Sequence, residues 1–70
     1  MAKLPLWPYP KVIKRLEQFG YVIARQKGSH IQMIHRDREP VTVPAHKPVA
    51  RGTLRKILRD ADIAADEFSR

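Results

Sequence analysis

The chain contains no cysteine, so neither a disulfide framework nor a thiolate metal site can hold it together. Its three histidines, His30, His35 and His46, lack the close pairing of a zinc site. No apolar run approaches the length of a membrane span, and residues 1–9 are too short and too broken by Pro5 and Pro8 for a secretory signal. Repeats, low-complexity tracts and linkers are missing as well. Acids are scarce: seven Asp and Glu stand against fourteen Lys and Arg, a formal net charge of +7. These absences leave one small domain over residues 1–70, near the lower limit of size for independent folding. It is expected to be cytoplasmic, with no metal, no cofactor and no membrane partner.

The positive excess is the first functional signal. Such a surface attracts polyanions, nucleic acid before any other. An anionic membrane fits less well, because binding there wants a helix that pairs a basic face with a bulky apolar one.

Hydrophobic periodicity predicts two helices enclosing three strands. Residues 1–9 form an arm that Pro5 and Pro8 keep from being regular helix, and Pro10 can sit in the first turn of the helix after it. Over 11–19, Val12, Ile13, Leu16 and Phe19 make one helix face and Gly20 a left-handed stop. Residues 21–26 read as a strand, Lys27-Gly28-Ser29 as a tight turn, 30–36 as a second strand and 41–43 as a third, ending at Pro44. Alternation sets Ile31, Met33 and His35 on one face of the second strand, and His30, Gln32, Ile34 and Arg36 on the other. If the first set faces the core, Ile34 is left exposed.

A second amphipathic helix spans 52–61, with Leu54, Ile57, Leu58 and Ala61 inward and Arg51, Arg55, Lys56 and Arg59 on its basic side. Thr53 is placed to cap it, and Asp62 stands where a left-handed residue ends it. A short turn over 64–68 lies in a tail of residues 64–70. The expected fold class is α+β. Its order is α-β-β-β-α, with a three-stranded antiparallel sheet and helices on one face, the layout of double-stranded-RNA-binding domains.

Three blocks then stand in register: Gln26-Lys27-Gly28-Ser29-His30, Val41-Thr42-Val43-Pro44-Ala45-His46, and Arg51-Gly52-Thr53-Leu54-Arg55-Lys56-Ile57-Leu58. In order and spacing they resemble the signature blocks of the HicA family. The resemblance covers roughly residues 4–68, with Met33 where the family often has Phe and Asp62 where Gly is usual. It implies the toxin of a type II toxin–antitoxin pair, an endoribonuclease (mRNA interferase) acting on mRNA, with a HicB-type antitoxin as partner. The family's catalytic histidine corresponds to His30.

The residues themselves suit that chemistry. Histidine exchanges a proton near neutral pH, as attack of a ribose 2′-hydroxyl on the adjacent phosphate requires, and no metal is needed. Lys27, with backbone N–H groups of the Gly28-Ser29 turn, can hold phosphate beside His30. Ser29 either contacts phosphate or simply builds the turn. His46 either approaches the phosphate or stays solvated in its loop. Arg51, Arg55 and Lys56 either follow an RNA backbone or form a solvated helix face. Trp7 and Tyr9 either stack on bases or cover the edge of the core. His35 is expected to be hydrogen-bonded and partly buried. Two other readings stand beside the ribonuclease: a non-catalytic RNA-binding module of the same fold, and a partner-binding subunit hinted at by Ile34 and the apolar arm.

Overall fold

Pro10 opens a helix rather than breaking one. In helix α1 (Tyr9–Gln18) it occupies the first turn, where its missing N–H leaves no bond unmade. The computed structural model describes residues 4–70. The order continues with β1 (Val22–Lys27), β2 (His30–Ile34), β3 (Val41–Pro44), α2 (Arg51–Ala61) and a last turn of helix, α3 (Ala65–Phe68). Residues 1–3 of the expected arm lie outside the described residues. The strands form one antiparallel sheet in the order β1-β2-β3, the meander that short turns allow.

Packing settles which sheet face is covered, a choice that alternation alone left open. Ile31 and Met33 of β2 pair with Val43 and Val41 of β3, and all four are buried. Val12, Ile13 and Leu16 of α1 and Leu54, Ile57, Leu58 and Ala61 of α2 complete the same core. Both helices lie on that one face, against β3. The opposite face stays open, and Ile34 on it is 44% exposed, as follows once Ile31 and Met33 face the core.

The two long helices end in the same way. At α1, Gly20 N–H donates to Glu17 C=O at 3.0 Å and Tyr21 N–H to Leu16 C=O at 3.1 Å, with Gly20 at φ 100°. At α2, Asp62 N–H donates to Arg59 C=O at 3.2 Å and Ile63 N–H to Leu58 C=O at 2.9 Å, with Asp62 at φ 58°. Each is a Schellman closure whose following residue, Tyr21 or Ile63, is buried. Arg38 reinforces the second, donating to Ala61 C=O at 2.8 Å and Asp62 C=O at 2.9 Å, a cation on a helix C-terminus.

The start of α2 corrects an expectation. The helix begins at Arg51 with Ala50 as its N-cap and no side-chain cap bond. Thr53 therefore falls inside the first turn, too late to cap it.

Both strands of the first hairpin are shifted from their expected limits, for one reason. Tyr21 spends its N–H on closing α1, so β1 starts at Val22, whose partner is Ile34. His35 and Arg36 then have no strand to pair with. The His35 ring instead makes one local bond and one to the end of α1: Asp37 N–H donates to its Nδ1 at 2.9 Å. Nε2, which then carries the proton, donates to Phe19 C=O at 2.9 Å. A bulge between Ile23 and Arg25 shifts the register at Ala24, and every residue of β1 is exposed. Tyr21 itself is buried, its hydroxyl donating to Glu39 C=O at 2.7 Å. Burial pushes its phenol above the ordinary value; Arg38 opposes the shift, and Glu39 and Asp60 reinforce it.

The arm and the tail close the core's edges. Leu4 is buried, and its C=O accepts Arg51 Nε at 2.8 Å. Trp7 C=O accepts Val49 N–H at 2.8 Å, and its ring lies 5.2 Å from that of Phe68. Trp7 and Tyr9 thus cover the core edge. Phe68 is fully buried, and Arg15 fastens α3 by donating to Phe68 C=O at 2.8 Å and Glu67 C=O at 2.6 Å. Residues 65–68 are therefore part of the packed structure rather than a loose tail.

Candidate functional site

The β1–β2 hairpin closes through two residues, Gly28 and Ser29. Gly28 has φ 59° and Ser29 does not share the positive φ, the pattern of a type II′ turn with Gly first. A turn of this length fixes the register, so Lys27 and His30 stand directly opposite one another. Opposed residues in an antiparallel ladder project to the same face, with Cβ atoms about 4.5–5.5 Å apart. One step further in, Arg25 opposes Gln32, which in turn opposes Thr42 of β3. Because Ile31 and Met33 point into the core, all five of these residues belong to the open face.

Together Arg25, Lys27, His30, Gln32 and Thr42 line a shallow hollow of ≈ 410 Å³. None of the five is acidic and two are cations. Arg25 Nε donates to Gln32 Oε1 at 3.2 Å, which ties the guanidinium to the floor of the hollow. His30 is exposed at its edge. His35, by contrast, has both ring nitrogens engaged and its ring 5.0 Å from that of Tyr21. It is hydrogen-bonded and partly buried, as expected, and His30 is the imidazole open to a ligand on this face.

The turn is joined to the β3–α2 loop. Ser29 C=O accepts Ala45 N–H at 2.7 Å, and His30 neighbours Pro44 across β2 and β3. His46 follows at once, exposed, with its C=O accepting Tyr9 N–H at 3.2 Å. Lys27, Gly28, Ser29, His30 and His46 are thereby gathered at one end of the sheet.

The cations of α2 are elsewhere. That helix packs on the covered face, so Arg51, Arg55 and Lys56, all exposed, lie across the core from the hollow. Arg51 is occupied with Leu4 C=O, and Lys56 pairs with Asp60 at 3.0 Å. Arg55 borders a separate groove with Leu4, Leu58, Arg59 and Ile63.

Arg25, Gln32 and Thr42 were not singled out from the sequence. The signal was there: with His30 facing outward, Gln32 two residues on shares its face. The turn that opposes Lys27 to His30 likewise sets Arg25, two residues back, beside them. Among the described residues no three His, Asp or Glu side chains come together as metal ligands would. No described helix is long and apolar enough to cross a membrane.

The profile of a protein family described as "HicA toxin of bacterial toxin-antitoxin" matches residues 9–63, a span that holds both long helices, the sheet and every residue lining the hollow. Among solved structures, a toxin–antitoxin complex from Streptococcus pneumoniae contains a similar chain. It superposes with a TM-score of 0.70 at 30% sequence identity, covering 84% of this chain and 100% of that one. No curated protein matches.

Proposed function

The chain belongs to the HicA toxin family, and from that premise we propose that it is the toxin of a toxin–antitoxin pair, an endoribonuclease that cuts mRNA at the open face of its sheet. One observation carries the reading: the exposed imidazole of His30 stands opposite Lys27 in a hollow lined by two cations and no carboxylate.

In the proposed reaction, Lys27 and the N–H groups of the Gly28-Ser29 turn hold the scissile phosphate. His30 takes the proton of the neighbouring ribose 2′-hydroxyl. The 2′-oxygen forms a bond to phosphorus as the bond from phosphorus to the 5′-oxygen breaks, and the departing oxygen takes a proton from solvent. The products are a 2′,3′-cyclic phosphate and a 5′-hydroxyl, and the step needs no metal or other cofactor. His46, at the same end of the sheet, borders the path of the RNA. Arg51, Arg55 and Lys56, across the core, add to the field that draws RNA in rather than to the cut. Cytoplasmic mRNA is the substrate on this reading. The regulating partner is a HicB-type antitoxin whose acidic residues cover the basic hollow.

The test is the identity of the ends. A labelled RNA incubated with the protein in chelator is expected to give cyclic phosphate and 5′-hydroxyl termini, and a strand with 2′-deoxyribose at the cleaved position is expected to stay whole. Cutting of the deoxy-substituted strand, or 5′-phosphate ends, would rule out the 2′-hydroxyl mechanism.

A further inference from the structure

We infer that Arg25 is a second phosphate-binding residue of this hollow, reserved for the transition state, and that Gln32 is the residue that positions it. The inference rests on the ribonuclease reading of His30.

Arg25 sits one row inward from Lys27 on the same face of β1, diagonal to His30 across the ladder. Diagonal neighbours lie about 7–8 Å apart, within reach of a side chain as long as arginine. Its Nε is committed to Gln32 Oε1 at 3.2 Å. That bond uses one edge of the guanidinium and leaves the two terminal NH₂ groups for a ligand. Among the described residues no carboxylate lies within ion-pair distance of it; the one such pair is Lys56 with Asp60. A planar fork with free donors, in a hollow without acids, matches two non-bridging oxygens of one phosphate.

Gln32 explains why the fork is ready. Half-buried in β2, with neighbours on both sides in the sheet, it is the fixed member of the pair. Its Oε1 accepts from Arg25, so its NH₂ is the end left to face the hollow. Lys27 and Arg25 then differ in task. The Lys27 ammonium, beside His30, is a mobile point charge that draws phosphate in. The tethered guanidinium offers its donors where negative charge grows as the 2′-oxygen bonds to phosphorus, and a donor fixed beforehand helps most there. An exposed pair of this kind adds little to folding, so its loss reads out in the reaction.

The experiment compares wild type with Arg25→Ala, Arg25→Lys, Gln32→Met and the Arg25→Ala/Gln32→Met double variant. Single-turnover cleavage and binding of a labelled RNA are measured, with circular dichroism on each sample. Arg25→Ala is expected to cut about 10²- to 10³-fold more slowly, the loss seen when one fixed transition-state donor is removed. Arg25→Lys is expected to bind RNA as wild type does but leave cleavage at least about tenfold slow, since the charge is kept without the fork. Gln32→Met is expected to slow cleavage with binding unchanged. The double variant should be no slower than Arg25→Ala alone, because Gln32 acts through Arg25. Wild-type cleavage by Arg25→Lys, or fully additive losses in the double variant, would overturn the inference while leaving the His30 reading intact. RNA left uncut by the wild-type protein would remove both.

Discussion

His35 lies so close over Gly20 that a methyl group added there would meet its Nε2 at 2.8 Å. The nitrogen cannot retreat freely, because it is bonded to Phe19 C=O at 2.9 Å. Gly20 also needs its φ of 100°, a backbone state that side chains disfavour. The junction of α1 with β1 is thus set by a glycine and a histidine together, and it is this junction that fixes where β1 begins.

Gly20→Ala should therefore cost about 2 kcal/mol or more, from strain and contact acting at one position. Urea unfolding followed by circular dichroism measures it. A variant as stable as wild type would mean that the corner relaxes at no cost.

His30→Ala should stay folded, because an exposed strand end loses little packing. Surface changes of this kind usually cost under about 0.5 kcal/mol. Cleavage should drop about 10²- to 10⁴-fold with the general base gone, while RNA affinity changes modestly. Wild-type cutting by the folded variant would sink the assignment, and activity abolished by chelator would replace it with a metal mechanism.

Lys27 and the α2 cations should separate in a salt titration. Lys27→Ala is expected to weaken RNA binding and to flatten the salt dependence by about one phosphate contact. The Arg51, Arg55, Lys56→Ala triple variant changes more charge yet should slow the cut less, since those residues lie across the core from His30. A triple variant that loses cleavage as fully as His30→Ala would show that the RNA wraps around the helical face.

What could be read in advance divides along physical lines. Gly20 and Asp62 were legible because few residues adopt positive φ; parity separated Ile31 and Met33 from His30 and Gln32, but which set is buried was decided only by where the helices pack. The limits of β1 and β2 were not, because they depend on which group takes the Tyr21 N–H, and that is a tertiary choice. Nor was the bulge at Ala24, which no local residue preference announces. The basic stripe on α2 was visible as a stripe, but a helical wheel cannot say that the sheet's other face carries His30. The part of Phe68 was hidden in four residues of helix, too few for a period to show.

Alkaline solution should weaken the fold through Tyr21. Its phenol keeps its proton to a higher pH in the folded chain than in the unfolded one. That contribution is complete below the unfolded value near 10 and is lost as pH rises through the higher folded value. Tyr21→Phe should be about 1 kcal/mol less stable at neutral pH, for want of the bond to Glu39 C=O. Its stability should fall less steeply above pH ~10, as thermal melts across that range would show. Parallel curves for the two proteins would exonerate this phenol.

Asp62→Gly should raise stability by up to about 1 kcal/mol, because glycine accepts the left-handed state that aspartate holds under strain. Arg38 grips the backbone carbonyl there, not the carboxylate, so its bond survives the change. A lower melting temperature for the glycine variant would show that the Asp62 side chain has a contact of its own to lose.

The irregularity at Ala24 has a bearing on how the protein lives at high concentration. β1 is a margin of the sheet with one side unpaired, and Val22 and Ile23 on it are 56% and 49% exposed. A flat, apolar margin of that sort recruits further strands and seeds aggregates. Here the bulge interrupts the row of backbone donors after two residues, and beyond it Arg25 and Lys27 set positive charge where an incoming copy would bring its own. The residues that suit the hollow to an anion also keep the molecule from templating its own kind.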